Sequence, residues 1–135
     1  MSPTSKTSRR ALTTMNRMIV TTLRSDDVLA HARFLTDVLG LVPGHLSEGH
    51  AELFWGDGAV LLGPRRPDDP WDTGRAVTYL VVDDPDAHHA KVVAAGGEIV
   101  MELTDQPYGS REFAVADAEG NRWSFGTYRP VPPAS

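Results

Sequence analysis

Cysteine is absent from this 135-residue chain. That excludes disulfides, thiolate nucleophiles and Cys-type zinc sites, so a metal would need His, Asp or Glu ligands and stability has to come from packing. No apolar run approaches the roughly 20 residues that cross a bilayer, and the opening MSPTSKTSRRALTTMNR has no apolar stretch of the signal-peptide kind; a cytoplasmic protein without a membrane partner is expected. A basic stripe is missing too. Lys6, Arg9, Arg10 and Arg17 are the only charges in the first 17 residues, leaving nine of the 13 Lys and Arg against all 18 Asp and Glu. An acidic body without clustered cations argues against a nucleic-acid partner, since phosphate binding is driven by Lys and Arg.

What is present is an ordinary globular composition, 41% apolar and 23% charged, in a chain long enough for one domain with a core. Residues 1–17 read as a disordered basic leader and 129–135 as a loose tail. Between them lies an internal repeat. Shifted by 57 residues, VTTLRSDDVLAHARFLTDVLG (20–40) overlies VTYLVVDDPDAHHAKVVAAGG (77–97) at Val, Thr, Leu, Asp-Asp, Ala-His and the final Gly. Each copy reads as strand, Asp-Asp turn, helix and Gly stop. Asp27 and Asp84 are placed to cap the helices, Pro85 suits a first helical position, and Gly40 suits the residue just past a helix end. Three strands follow each helix: 41–47, 51–55 and 59–63 in the first half, 98–103, 111–116 and 122–128 in the second. The Asp57-Gly58 pair is the expected hairpin turn, and the Pro/Asp-rich 64–74 is a linker.

DVLGL closing the first helix, VDDPDA opening the second and DAEGN-x-W before the last strand resemble the vicinal oxygen chelate superfamily, which includes glyoxalase I, extradiol dioxygenases and bleomycin-resistance proteins. The resemblance implies an α+β fold over residues 18–128: two βαβββ modules, 18–63 and 75–128, with curved mixed sheets enclosing a cavity and helices on the convex side. It also implies a homodimer that covers exposed sheet edges. In metal-dependent members the ligands come from the first and last strands of each module. Here those positions fall on Val20, Leu62, Val77 and Ser124, with no His, Asp or Glu one residue to either side. No metal and no cofactor is expected.

Side chains two apart on a strand share a face. With those four positions inward, Thr22, Arg24, Val60, Tyr79, Val81 and Arg122 join the expected wall. Pairing across Asp57-Gly58 sets Trp55 opposite Val60 and Leu53 opposite Leu62, while Phe113 is expected opposite Ser124. Trp123 and Phe125 then alternate toward the helices. Trp71 in the linker, and Tyr108 and Arg111 in the loop motif PYGSREF, are placed either to contact a ligand at the pocket mouth or to pack the sheet edge.

The paired carboxylates Asp26-Asp27 and Asp83-Asp84 precede both helices alike and read as caps, and Asp117 as a turn former. His31, His88 and His89 fall on the helices as packing or surface residues; His45 and His50 fall at strand ends. No Ser-His-Asp array can be argued from spacing. Two functions remain open: a metal-independent small-molecule binder resembling the bleomycin-resistance type, sequestering an apolar or aromatic compound such as an antibiotic, or an enzyme using the same cavity without the standard metal. A vestigial pocket serving protein interaction is the third. No catalytic residue is assigned.

Overall fold

The computed structural model describes residues 17–133; the bulk of the basic leader and the last two residues of the tail lie outside the described residues. Two βαβββ modules follow one another. The first holds β1 (Val20–Ser25), α1 (Val28–Asp37), β2 (Val42–Leu46), β3 (Ala51–Trp55) and β4 (Gly58–Pro64). The second holds β5 (Val77–Val81), α2 (Pro85–Ala94), β6 (Glu98–Asp105), β7 (Arg111–Ala116) and β8 (Arg122–Gly126). Each module forms one four-stranded mixed sheet, in the orders β1-β4-β3-β2 and β5-β8-β7-β6, and the two sheets are not closed into a barrel. The first strand of each module runs parallel to the last, and the other pairings are antiparallel.

The helix starts follow from the sequence. Asp27 accepts from the Ala30 N–H and Asp84 from the Ala87 N–H, both at 3.0 Å, satisfying donors that a helix leaves free in its first turn. Gly40 sits at φ +92, a left-handed conformation that most side chains resist, and its N–H returns to the Thr36 carbonyl after α1.

The core lies on the helix-bearing faces of both sheets. Leu35, Leu53 and Leu62 from the first module and Phe113, Trp123 and Phe125 from the second are all 0% exposed. Phe113 and Phe125 stack with centroids 5.2 Å apart. The modules join through these same faces. The Trp55 ring meets His88 and Phe125 edge-on, and its indole N–H donates to the Val81 carbonyl at 3.0 Å.

The first-module strand register differs from the expectation. Trp55 pairs with Gly58, so the hairpin turns on Gly56-Asp57 and Gly58 already belongs to β4. Leu53 therefore faces Val60, and Ala51 faces Leu62. Against β1, Leu62 lies beside Leu23, on the helix side, while Ala59, Leu61 and Gly63 share the face of Val20, Thr22 and Arg24. In the second module Phe113 pairs with Phe125, and it is Ala114 that pairs with Ser124. Val60, Leu62, Leu53 and Phe113 are thus core residues under the helices rather than an open wall. No helix among the described residues is long and apolar enough to cross a membrane.

Candidate functional site

A cavity of about 210 Å³ opens at the seam between the modules. Thr21 of β1 and Thr78 of β5, equivalent residues of the repeat, line it from the two edge strands, with Trp55, Tyr79, Leu80 and Trp123 around them. Trp55 is directed here because strand alternation sends it to the helix side, where His88 and Phe125 hold one edge of its ring. Of the expected wall and mouth residues, the seam brings together Trp55, Val60 and Tyr79. An engineered apolar cavity of about 150 Å³ takes benzene, whereas drug-sized pockets begin near roughly 300 Å³. The seam is sized for one or two rings, smaller than a drug-sized ligand.

The remaining expected contacts are dispersed. Thr22 and Ser124 lie on the faces turned away from the helices, each on its own sheet. Arg24 shares the face of Thr22, but its Nε donates to Asp69 of the linker at 2.6 Å, and that bond holds the Asp69 carboxyl below its ordinary range. Leu53, Leu62 and Phe113 are sealed in the core. Trp71 is 77% exposed in the linker. Arg111 is engaged by Asp86 and Asp105 at 2.7 and 3.1 Å. Tyr108, more than half exposed, donates its hydroxyl to Glu112 at 2.8 Å.

A chain of buried polar groups, which spacing did not reveal, crosses the module boundary. The Ser25 hydroxyl meets His31 Nδ1 at 2.7 Å, and His31 Nε2 meets Asp117 Oδ2 at 2.7 Å. Asp117 also accepts from the backbone N–H groups of Glu119 and Asn121, the Asn121 amide and the Trp123 indole. Burial by itself would raise the Asp117 carboxyl, but the bonds from His31, Trp123 and Asn121 outweigh it and bring it down to about 2. Although the composition is that of a catalytic triad, Ser25 is 0% exposed, so its oxygen cannot reach a substrate. The array acts as a bolt between modules.

His88 occupies the repeat position equivalent to His31 and does the opposite. Packed between Trp55, Phe113 and Phe125, it leaves Nε2 without a partner among the described residues. Desolvation holds its imidazole below the ordinary value, against a bond with Leu39 that raises it, and Lys91 adds a smaller lowering effect.

The positions where the resemblance implies a metal do not fit one. Leu62 is in the core, its neighbour Leu61 takes the outer face of β4, and Val20, Val77 and Ser124 supply no imidazole or carboxylate. Among the described residues, no group of three or more His, Asp or Glu is arranged to hold a metal ion.

Comparison with known proteins follows the same lines. TioX from Micromonospora sp. ML1 superposes with a TM-score of 0.67 at 26% identity, covering 82% of this chain and 97% of its own. The bleomycin-binding protein of bleomycin-producing Streptomyces verticillus, solved with copper(II)-bleomycin, gives 0.61 at 28% identity, covering 81% and 93%. A lactoylglutathione lyase from Agrobacterium tumefaciens shares the fold, at 0.66 and 22% identity, covering 82% and 92%. An uncharacterized protein of Mycobacterium bovis is 43% identical over 54 residues, 39% of this chain and 36% of that protein, so the match spans about a third of that relative. The family profile matches residues 17–125, and the chain belongs to the Glyoxalase/Bleomycin resistance protein/Dioxygenase superfamily.

Proposed function

We propose that the protein is a metal-independent small-molecule binder that captures an apolar or aromatic group at the seam between its modules. The observation that carries this reading is the cavity lined by Trp55, Tyr79 and Trp123, with Thr21 and Thr78 as polar points at its edge. Burying apolar ligand surface contributes roughly 25 cal/mol per Å², so ~200 Å² provides about 5 kcal/mol before ordering costs, enough for micromolar binding when geometry helps. Aromatic packing adds about 0.5–1.5 kcal/mol per pair. The structural likeness to a bleomycin-binding protein supports sequestration of an antibiotic as the biological form of this binding. Turnover has less support, because the Ser25-His31-Asp117 array is closed to substrate.

The test is tryptophan fluorescence during titration with ethylbenzene and with copper-bleomycin. At least one is expected to change the emission saturably at micromolar concentration, and Thr21→Phe, which fills the cavity, is expected to weaken that response at least tenfold while the protein stays folded. Silence from both probes would overturn the reading.

The same reading includes a homodimer. Val77 is 76% exposed and Val42 61%, and β1 and β5 each leave one edge unpaired within their sheets. Exposed apolar strands with free edges favour association with a second copy. Light scattering is expected to give about twice 14.7 kDa; a mass of 14.7 kDa at micromolar concentration would count against it.

A further inference from the structure

The face of the second sheet that turns away from the helices carries a buried carboxylate with no cation. Glu112 is 6% exposed. Among the described residues it takes part in no ion pair, and its one hydrogen bond is from the Tyr108 hydroxyl at 2.8 Å. Its neighbour Arg111 is committed to Asp86 and Asp105. A carboxylate largely shielded from solvent, with a single neutral donor, is a favourable place for a cation to join.

The surroundings are built around this group. A Cβ at Gly126 would stand 2.5 Å from Glu112 Cγ and 2.5 Å from the Tyr79 hydroxyl, so only glycine lets both side chains lie over β8. The Tyr79 hydroxyl is 3.3 Å from Ser110 Oγ, and the Tyr108 and Tyr128 rings meet edge to face at 6.3 Å. Tyr79 and Tyr108 are both exposed, so solvent and solutes reach the rim while the carboxylate sits below it. Electron-rich rings around an anion attract an ammonium group both by cation–π contact and by charge. The bond to Glu112 raises the Tyr108 phenol above its ordinary value.

We propose that Glu112, with Tyr79 and Tyr108, forms a subsite for an alkylammonium group on this face of the second sheet, opposite the face that carries the seam. The Tyr79 side chain belongs to this face, since Tyr79 pairs with Ser124 and its hydroxyl lies beside Glu112 over Gly126, whereas its neighbours Thr78 and Leu80 turn to the seam. This goes beyond the small-molecule reading at the seam, and the amine subsite is tested apart from it.

Butylammonium chloride and 1-butanol are titrated against isotope-labelled full-length protein, with the Gly126 amide as reporter. A saturable shift is expected with butylammonium and none with butanol, together with an intermolecular contact between the amine's methylene and the Glu112 γ protons in the unaltered protein. Glu112→Gln, checked for folding by its melting transition, is expected to abolish the shift. In parallel, ethylbenzene is titrated as the seam probe, and Glu112→Gln is expected to leave its binding unchanged. Ethylbenzene binding with no butylammonium response sinks the subsite and leaves the seam standing. A butylammonium response with no ethylbenzene binding does the reverse. Silence from every probe overturns both.

Discussion

Replacing Asp117 by alanine is expected to remove roughly 3–5 kcal/mol of stability, the range for breaking a buried charged network by deleting one partner. Two oxygens here receive bonds from His31 Nε2, the Trp123 indole, the Asn121 amide and two backbone N–H groups. Deleting them leaves these donors buried without an acceptor, and in Trp123 and His31 the loss falls on both modules at once. Against a typical total of about 5–15 kcal/mol, this is a large fraction. Urea denaturation followed by tryptophan emission measures it; a loss under about 1 kcal/mol would mean that water replaces the carboxylate. The acid dependence has a definite sign. The folded Asp117 carboxyl, at about 2, lies below its ordinary value of 3.8, so its stabilising contribution is complete above 3.8 and is lost as pH falls through about 2. Asp117→Asn is expected to lose that part of the acid limb while retaining some of the hydrogen bonds.

Trp55→Ala is expected to cost about 3–5 kcal/mol, as for other large-to-small changes in packed cores, and to abolish ring binding at the seam. The indole joins the modules by its bond to the Val81 carbonyl and its edge-on contacts with His88 and Phe125. Because it also lines the cavity, one truncation tests packing and binding together. Trp55→Phe separates the two: it keeps ring packing, loses the hydrogen bond, and is expected to lose about 0.5–1.5 kcal/mol while retaining much of the ligand response. If Trp55→Ala denatures at the same urea concentration as the parent, the module junction does not depend on it.

The two βαβββ modules, their helix caps and the helix-side placement of Trp123 and Phe125 were legible from local signals, because an Asp before a helix, a Gly after it and alternation along a strand act within a few residues. The first-module register was not. Asp57-Gly58 reads as the turn, but Gly58 is already paired with Trp55 and opens β4, so the hairpin turns one residue earlier, on Gly56-Asp57. That one-residue difference moves Leu62 from the outer face to the core, since a slip of one residue reverses every side chain.

By itself the sequence determined the repeat, the family and the lack of ligand-bearing side chains at the expected metal positions, for these depend on residue identity and order. Only the tertiary structure decided that Ser25, His31 and Asp117 meet across a module boundary, that Trp55 and Tyr79 share one seam, and that Glu112 is buried without a cation. Those contacts join residues as many as 86 positions apart. Which of them form depends on how two independently patterned modules dock, and no local period records that choice.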